Sequence, residues 1–210
     1  MTGLRIAVLD YGIGNLRSAQ KALEHLGAEA ALTADREIIE AADGVVLPGV
    51  GAFGACVDAM AATGVDQLAK DAAASGRPFL GICVGMQLLF EGSTESPDHA
   101  GLGILPGRIT RLPDTVKVPQ MQWNQLETTQ PHPLVAGLDG SWMYFVHSFG
   151  ALETDLAIAT CNYGVSIAAA VAKDNVWATQ FHPEKSARAG QRLLQNWLDD
   201  VHANAKERAS

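Results

Sequence analysis

A chain of 210 residues, 48% hydrophobic and 18% charged, can bury one substantial core and is too apolar for a disordered segment. A net charge of -8 with a pI of about 5.1, and no run of lysine or arginine, exclude a surface built for nucleic acid or an anionic membrane. Cys56, Cys83 and Cys161 match neither zinc nor redox spacing. The opening Met1-Thr2-Gly3-Leu4-Arg5 carries no leader peptide, and no apolar run reaches the ~20 residues of a membrane span, so a cytoplasmic protein is expected.

The first half reads as strand alternating with helix. Leu4 to Leu9 is an apolar strand, and Asn15 to Leu26 an amphipathic helix stopped by Gly27. A short strand, Ala28 to Leu32, precedes a helix near Asp35 to Ala41, and Gly44 to Leu47 is the next strand. Ala52 to Ala74 is helical with a break near Gly64; Pro78 to Ile82 is a strand and Val84 to Phe90 starts a helix. In the second half Gly107 to Leu112, Gln122 to Glu127, Trp142 to Val146, Ala157 to Asn162, Ser166 to Ala172 and Val176 to Gln180 read as strands separated by turns. Ser186 is placed to cap a last helix, Ala187 to Val201. The pattern predicts one α/β domain over 1–210: a three-layer, mostly parallel sheet flanked by helices, with antiparallel additions.

Three segments carry candidate chemistry. Gly81-Ile82-Cys83-Val84-Gly85 has the form of a nucleophile elbow, at the sharp strand-to-helix turn that motif needs. Glycines on both sides leave room for the turn, and the helix N-terminus aims backbone N–H groups at the sulfur. Cys56 and Cys161 lack that context and read as buried structural cysteines. Phe181-His182-Pro183-Glu184 follows a strand, where residues i and i+2 face one way. His182 could accept the thiol proton while Glu184 holds its tautomer; taken alone, a turn histidine beside a helix-leading acid fits equally well. Leu47-Pro48-Gly49-Val50-Gly51-Ala52-Phe53-Gly54 offers backbone N–H groups to an oxyanion. Alone this would read as a glycine-rich turn, but it, the Cys83 elbow and the loop Asp10 to Asn15 all lie at carboxyl ends of strands, where ligands gather in parallel sheets. Gly12-x-Gly14-x-x-Arg17 lacks the last glycine of a dinucleotide fingerprint; His25, His99, His132 and His202 show no metal spacing, and His147 reads as structural. Leu88-Leu89-Phe90 reads as core.

Gly81 to Gln87 together with His182-Pro183-Glu184 resembles the class I (triad) glutamine amidotransferases. Asp10 to Ser18, Leu47 to Gly54, Tyr144 to Ser148 and Phe181 to Ser186 are similar, within that family, to the glutaminase subunits of imidazole glycerol phosphate synthases. The resemblance spans nearly the whole chain. It implies that Cys83 attacks the glutamine side-chain amide, His182 moves the protons and Glu184 orients His182, through a glutamyl thioester. It implies oxyanion donors at Val84 and along Gly49, Val50 and Gly51. It also implies that Gln87 and Glu95 hold the α-amino end of glutamine, beside the backbone of Ser148 and Phe149.

The same resemblance implies a partner, a (β/α)8-barrel cyclase subunit that receives ammonia through a channel, with no cofactor or metal in this chain. Pro119, Met121, Trp123 and Asn124 match positions at the barrel interface, and Asn15, Tyr144 and Lys185 positions at that interface or the channel mouth. For Trp123, ordinary core packing is the competing reading. The chain departs from the family pattern at Gln120 and Gln122, where histidine and glycine are typical, and at Phe149, where tyrosine is. Three rival functions remain open: a glutaminase serving another synthase, a non-catalytic regulatory domain, and a thiol hydrolase or redox sensor.

Overall fold

The computed structural model describes residues 3–209; Met1 and Thr2, on which the leader-peptide reading partly rests, and Ser210 lie outside the described residues. Strand and helix alternate as β1 (Arg5–Leu9), α1 (Leu16–His25), β2 (Glu29–Thr33), α2 (Arg36–Ala41), β3 (Gly44–Gly49), α3 (Phe53–Thr63), α4 (Val65–Ala74), β4 (Phe79–Cys83) and α5 (Val84–Leu89). Strands then dominate: β5 (Gly92–Ser93), β6 (Arg108–Arg111), β7 (Gln120–Gln125), β8 (Glu127–Thr128), β9 (Trp142–His147), β10 (Phe149–Gly150), β11 (Ala157–Asn162), β12 (Ser166–Lys173) and β13 (Val176–Thr179). A 3₁₀ turn at Pro183–Lys185 leads into α6 (Ala187–Ala209).

The main sheet runs β2-β1-β3-β4-β13-β12-β11-β8. β2, β1, β3, β4 and β13 are parallel; β12, β11 and β8 are the antiparallel additions. Val8, Leu9, Val45, Val46, Leu47, Phe79, Leu80 and Ala178 are buried, as strands covered on both faces must be. The long helical stretch divides at Gly64, whose φ of +72° ends α3 and opens α4. Leu88, Leu89 and Phe90 are core, as read.

Two expectations need correction. The strand read as Gln122 to Glu127 begins at Gln120, ends at Gln125 and resumes as β8, so its halves serve different sheets. Buried Leu126 divides them, and β7 pairs only with β9 in a separate ribbon. Ser186 stands at the start of α6, where its carbonyl accepts from Gly190 N–H at 3.0 Å. Its hydroxyl is not the cap: it donates to the His182 carbonyl at 2.6 Å and accepts from Tyr144 N–H at 3.0 Å. The helix also continues beyond Val201.

Side-chain-free packing at the elbow sets the position of everything nearby. β3 and β4 pair with Gly49 opposite Cys83. A methyl group on Gly49 would stand 2.7 Å from Gly85 N and 2.8 Å from the Tyr11 hydroxyl, and one on Gly85 would overlap the Leu47 carbonyl. Gly85→Ala is therefore expected to cost about 3 kcal/mol or more, since backbone rather than a flexible side chain must yield. Gly64→Ala, with open space around it, costs only the left-handed backbone penalty of about 1–2 kcal/mol. Urea denaturation of the two variants measures the difference, and equal losses would contradict this account of the elbow.

Candidate active site

The carboxyl ends of parallel strands β3, β4 and β13 converge on one pocket of about 460 Å³, lined by Gly51, Cys83, Gln87, Glu95, Phe149 and His182 among others. Cys83 ends β4 with φ +56° and ψ -113°, a conformation L-residues rarely hold, and is nearly buried. The register of β4 with β13 pairs Ile82 with Thr179, so the segment after β13 passes beside the elbow. Its path is fixed by His182 N–H donating to the Tyr144 carbonyl at 3.0 Å, and by Ser186.

His182 Nδ1 hydrogen-bonds Glu184 Oε1 at 2.8 Å, with both side chains 3% exposed. Cys83 lines the same pocket as this ring and acts on its charge. Burial alone pushes the His182 imidazole down, but hydrogen bonds and charge from Cys83 and Glu184 outweigh it and lift the group to about 9. The two-residue spacing thus brings His182 and Glu184 together, and the fold adds Cys83.

The glycine loop is held from behind. Tyr11 donates its hydroxyl to the Pro48 carbonyl at 2.8 Å, and buried Cys56 donates its thiol to the Val50 carbonyl at 3.3 Å. Because the peptide is trans, the Gly51 N–H points away from Cys56. Burial, then neighbouring sulfur, pushes the Tyr11 phenol up, so the hydroxyl stays a donor. Phe53 N–H donates to Glu95 Oε2 at 3.0 Å, leaving Oε1 available. Gln87 spends its amide N–H groups on the Phe149 carbonyl at 2.8 Å and Gln180 Oε1 at 3.1 Å, so its own oxygen is free to accept. Val50, Val84 and Ser148 also line the pocket, as do Asn15, Pro119 and Lys185 from the expected partner face.

The remaining partner-face residues fall on the β7–β9 ribbon. Met121 is 62% exposed and Trp123 43%, so Trp123 is not core. Trp123 packs edge-on to Tyr144 with ring centroids 6.1 Å apart. Asn124 ties the ribbon to β11, donating to the Asn162 carbonyl at 2.8 Å in an exposed contact. Cys56 is a buried structural cysteine, as read, and Gln120 was marked only as a departure from the family pattern; sequence reasoning missed Tyr11 and Gln180. A glutamine closing the apolar strand Val176 to Gln180 was the one visible signal. His147 is structural in that it is buried, yet it also lines the pocket. Among the described residues no cluster of histidine, cysteine, aspartate or glutamate could hold a metal ion.

A nucleophile at a strained elbow, a histidine beside it and a buried acid behind the histidine, at the carboxyl edge of a parallel sheet, define an enzyme of thiol-dependent acyl transfer. The family model "Glutamine amidotransferase class-I" matches residues 7–201, and the chain belongs to that family. The imidazole glycerol phosphate synthase subunit HisH of Syntrophotalea carbinolica is 48% identical over 204 residues, 92% of this chain and 99% of that protein. HisH of Methanothermobacter thermautotrophicus is 46% identical, over 94% of this chain and all of that protein. Within the family, then, the chain falls with the HisH subunits. The solved structure of a glutamine amidotransferase superposes with a TM-score of 0.75 at 21% identity, covering 94% and 98% of the two chains. PurLQS from Thermotoga maritima gives 0.74 at 21%, covering 95% and 99%; at such identities these two show the fold.

The His182 geometry sets a titration. A folded-state value near 9, above the ordinary imidazole value of about 6.5, means the imidazolium stabilises the fold fully below that lower value. The contribution is lost as pH rises through about 9. In an NMR titration the His182 midpoint is expected near 9, falling toward the ordinary range in Glu184→Gln. An unchanged midpoint in that variant would show that Glu184 does not govern the ring.

Proposed function

We propose that this chain is one glutaminase domain that hydrolyses glutamine to glutamate and ammonia, and delivers the ammonia to the cyclase subunit of imidazole glycerol phosphate synthase in histidine biosynthesis. The observation that carries the reading is the buried His182–Glu184 pair beside the strained Cys83. Cys83 attacks the γ-amide carbon after His182 accepts its proton, and the negative oxygen is met by N–H groups of Val84 and of the Gly49-Val50-Gly51 segment. His182 returns the proton to the leaving nitrogen, ammonia departs, and the sulfur retains the acyl group as a thioester. Water, deprotonated by His182, then releases glutamate and the thiol. Glu184 keeps the ring oriented throughout.

At the other end of the substrate, the free oxygens of Gln87 and Glu95 accept from the α-ammonium group, while the Ser148–Phe149 backbone forms the facing wall. This supports glutamine over the rival thiol chemistries, which need no acceptor pair for an ammonium group. No cofactor is required.

The listener for the ammonia is a (β/α)8-barrel cyclase, docked where Met121 and Trp123 are exposed, with Asn15, Pro119, Tyr144 and Lys185 near the mouth of the passage. Exposed aromatic and sulfur side chains beside a pocket suit a partner anchor. Free ammonia becomes ammonium in neutral water and loses its nucleophilic pair, so direct delivery is chemically sensible. No described helix is long and apolar enough to cross a membrane, and the acidic surface favours a cytoplasmic complex that engages neither membrane nor nucleic acid.

Cys83→Ala should abolish glutamate formation while leaving association with the cyclase, measured by calorimetry, within about twofold of the unmodified chain. Loss of association would make Cys83 structural. The isolated chain should turn over slowly, because the glycine loop reaches its working geometry with the partner and its nucleotide bound. Glutamate release measured with and without both should rise at least about tenfold, equivalent to about 1.4 kcal/mol. High turnover without the partner would refute that dependence.

A further inference from the structure

Gln120, at the start of β7, is fully buried and paired in register with His147. His147 has a polar contact at each ring nitrogen: Nδ1 lies 2.8 Å from the Phe149 carbonyl and Nε2 lies 2.9 Å from the Gln120 side-chain amide. The Phe149 carbonyl also receives the Gln87 amide, so it belongs to the pocket wall. A carbonyl oxygen can only accept, and a neutral imidazole owns one N–H. If that proton sat on Nε2, two lone pairs would oppose each other between Nδ1 and the carbonyl. A doubly protonated ring would be a buried cation beside His182; burial, with the His182 charge adding, holds His147 down at about 4.

The proton therefore sits on Nδ1, and Nε2 needs a donor. Oxygen and nitrogen of a side-chain amide are interchangeable by a half-turn. The Gln120 amide nitrogen otherwise has no partner in its buried site. Turned over, it donates to His147 Nε2 and is no longer without a partner. One rotation gives both the His147 ring and the Gln120 amide nitrogen a matched partner.

We propose that Gln120 is a positioning residue for glutamine binding: its amide donates to His147 Nε2, fixes the His147 proton on Nδ1 and thereby holds the Phe149 carbonyl against Gln87. The inference rests on the pocket being the glutamine site. Gln120 touches no substrate. It determines whether Gln87 can spend both N–H groups inside the protein and turn its oxygen to the α-ammonium group.

The test compares Gln120→Met, similar in volume but without a donor, and Gln120→His, whose neutral ring offers an N–H, each assayed with saturating cyclase subunit. Gln120→Met should raise KM for glutamine about tenfold with kcat within about twofold, the size of one lost buried hydrogen bond. Gln120→His should restore KM. Imidazole nitrogen shifts of His147 in the isotope-labelled unmodified chain should report the Nδ1–H tautomer, and this measurement needs no variant. An Nε2–H tautomer, or an unchanged KM in Gln120→Met, overturns the proposal. No glutamine turnover by the unmodified complex overturns the glutaminase reading, and this inference with it.

Discussion

Everything at the pocket depends on backbone meeting backbone without side chains between. Gly49 and Gly85 lie so close that a methyl group on either would strike main-chain atoms. That contact brings the end of β3 against the first turn of α5. It accompanies the φ of +56° at Cys83, which lines the pocket. A larger residue at either glycine would separate the loop from the nucleophile and leave two unrelated turns. The strain at Cys83 persists because strands on both sides, with their buried apolar faces, over-determine the turn.

Around this fixed point the polar groups are arranged by charge and by hydrogen-bond supply. His182 is stabilised as a cation by two partners and His147, a short distance away, is held neutral by burial and by that cation. The same residue type therefore serves opposite ends: one is held charged near Cys83, the other neutral against the Phe149 carbonyl. Ser186 shows the same economy. Its hydroxyl, which a helix start would ordinarily use, ties the turn carrying His182 to β9. The ribbon and the active site consequently share one set of hydrogen bonds.

Much of this is legible in the sequence. Alternation of apolar strands with helices gave the parallel half, and Gly64 marked its break because no other residue takes a left-handed turn so cheaply. Cys83, His182 and Glu184 were visible because elbow and i, i+2 spacings are local. The boundary at Leu126 was not, since nothing local says that a continuous strand-like run must leave one sheet for another. The purpose of Ser186 and the tie made by Asn124 depend on backbone groups 42 and 38 residues away in sequence, Tyr144 N–H and the Asn162 carbonyl. Gln180 escaped, and Gln120 stood out only as a departure from the family pattern, for the same reason: a polar side chain discloses its partner only after folding.

The four tryptophans are divided in a way that has an optical consequence. Trp177 and Trp197 are buried in the α/β body, whereas Trp123 and Trp142 stand 43% and 53% exposed on the ribbon. Emission from the first pair stays blue while the body is folded, and that from the second responds to whatever covers the ribbon. A single unlabelled sample thus carries two built-in reporters, one for integrity of the body and one for occupancy of its face.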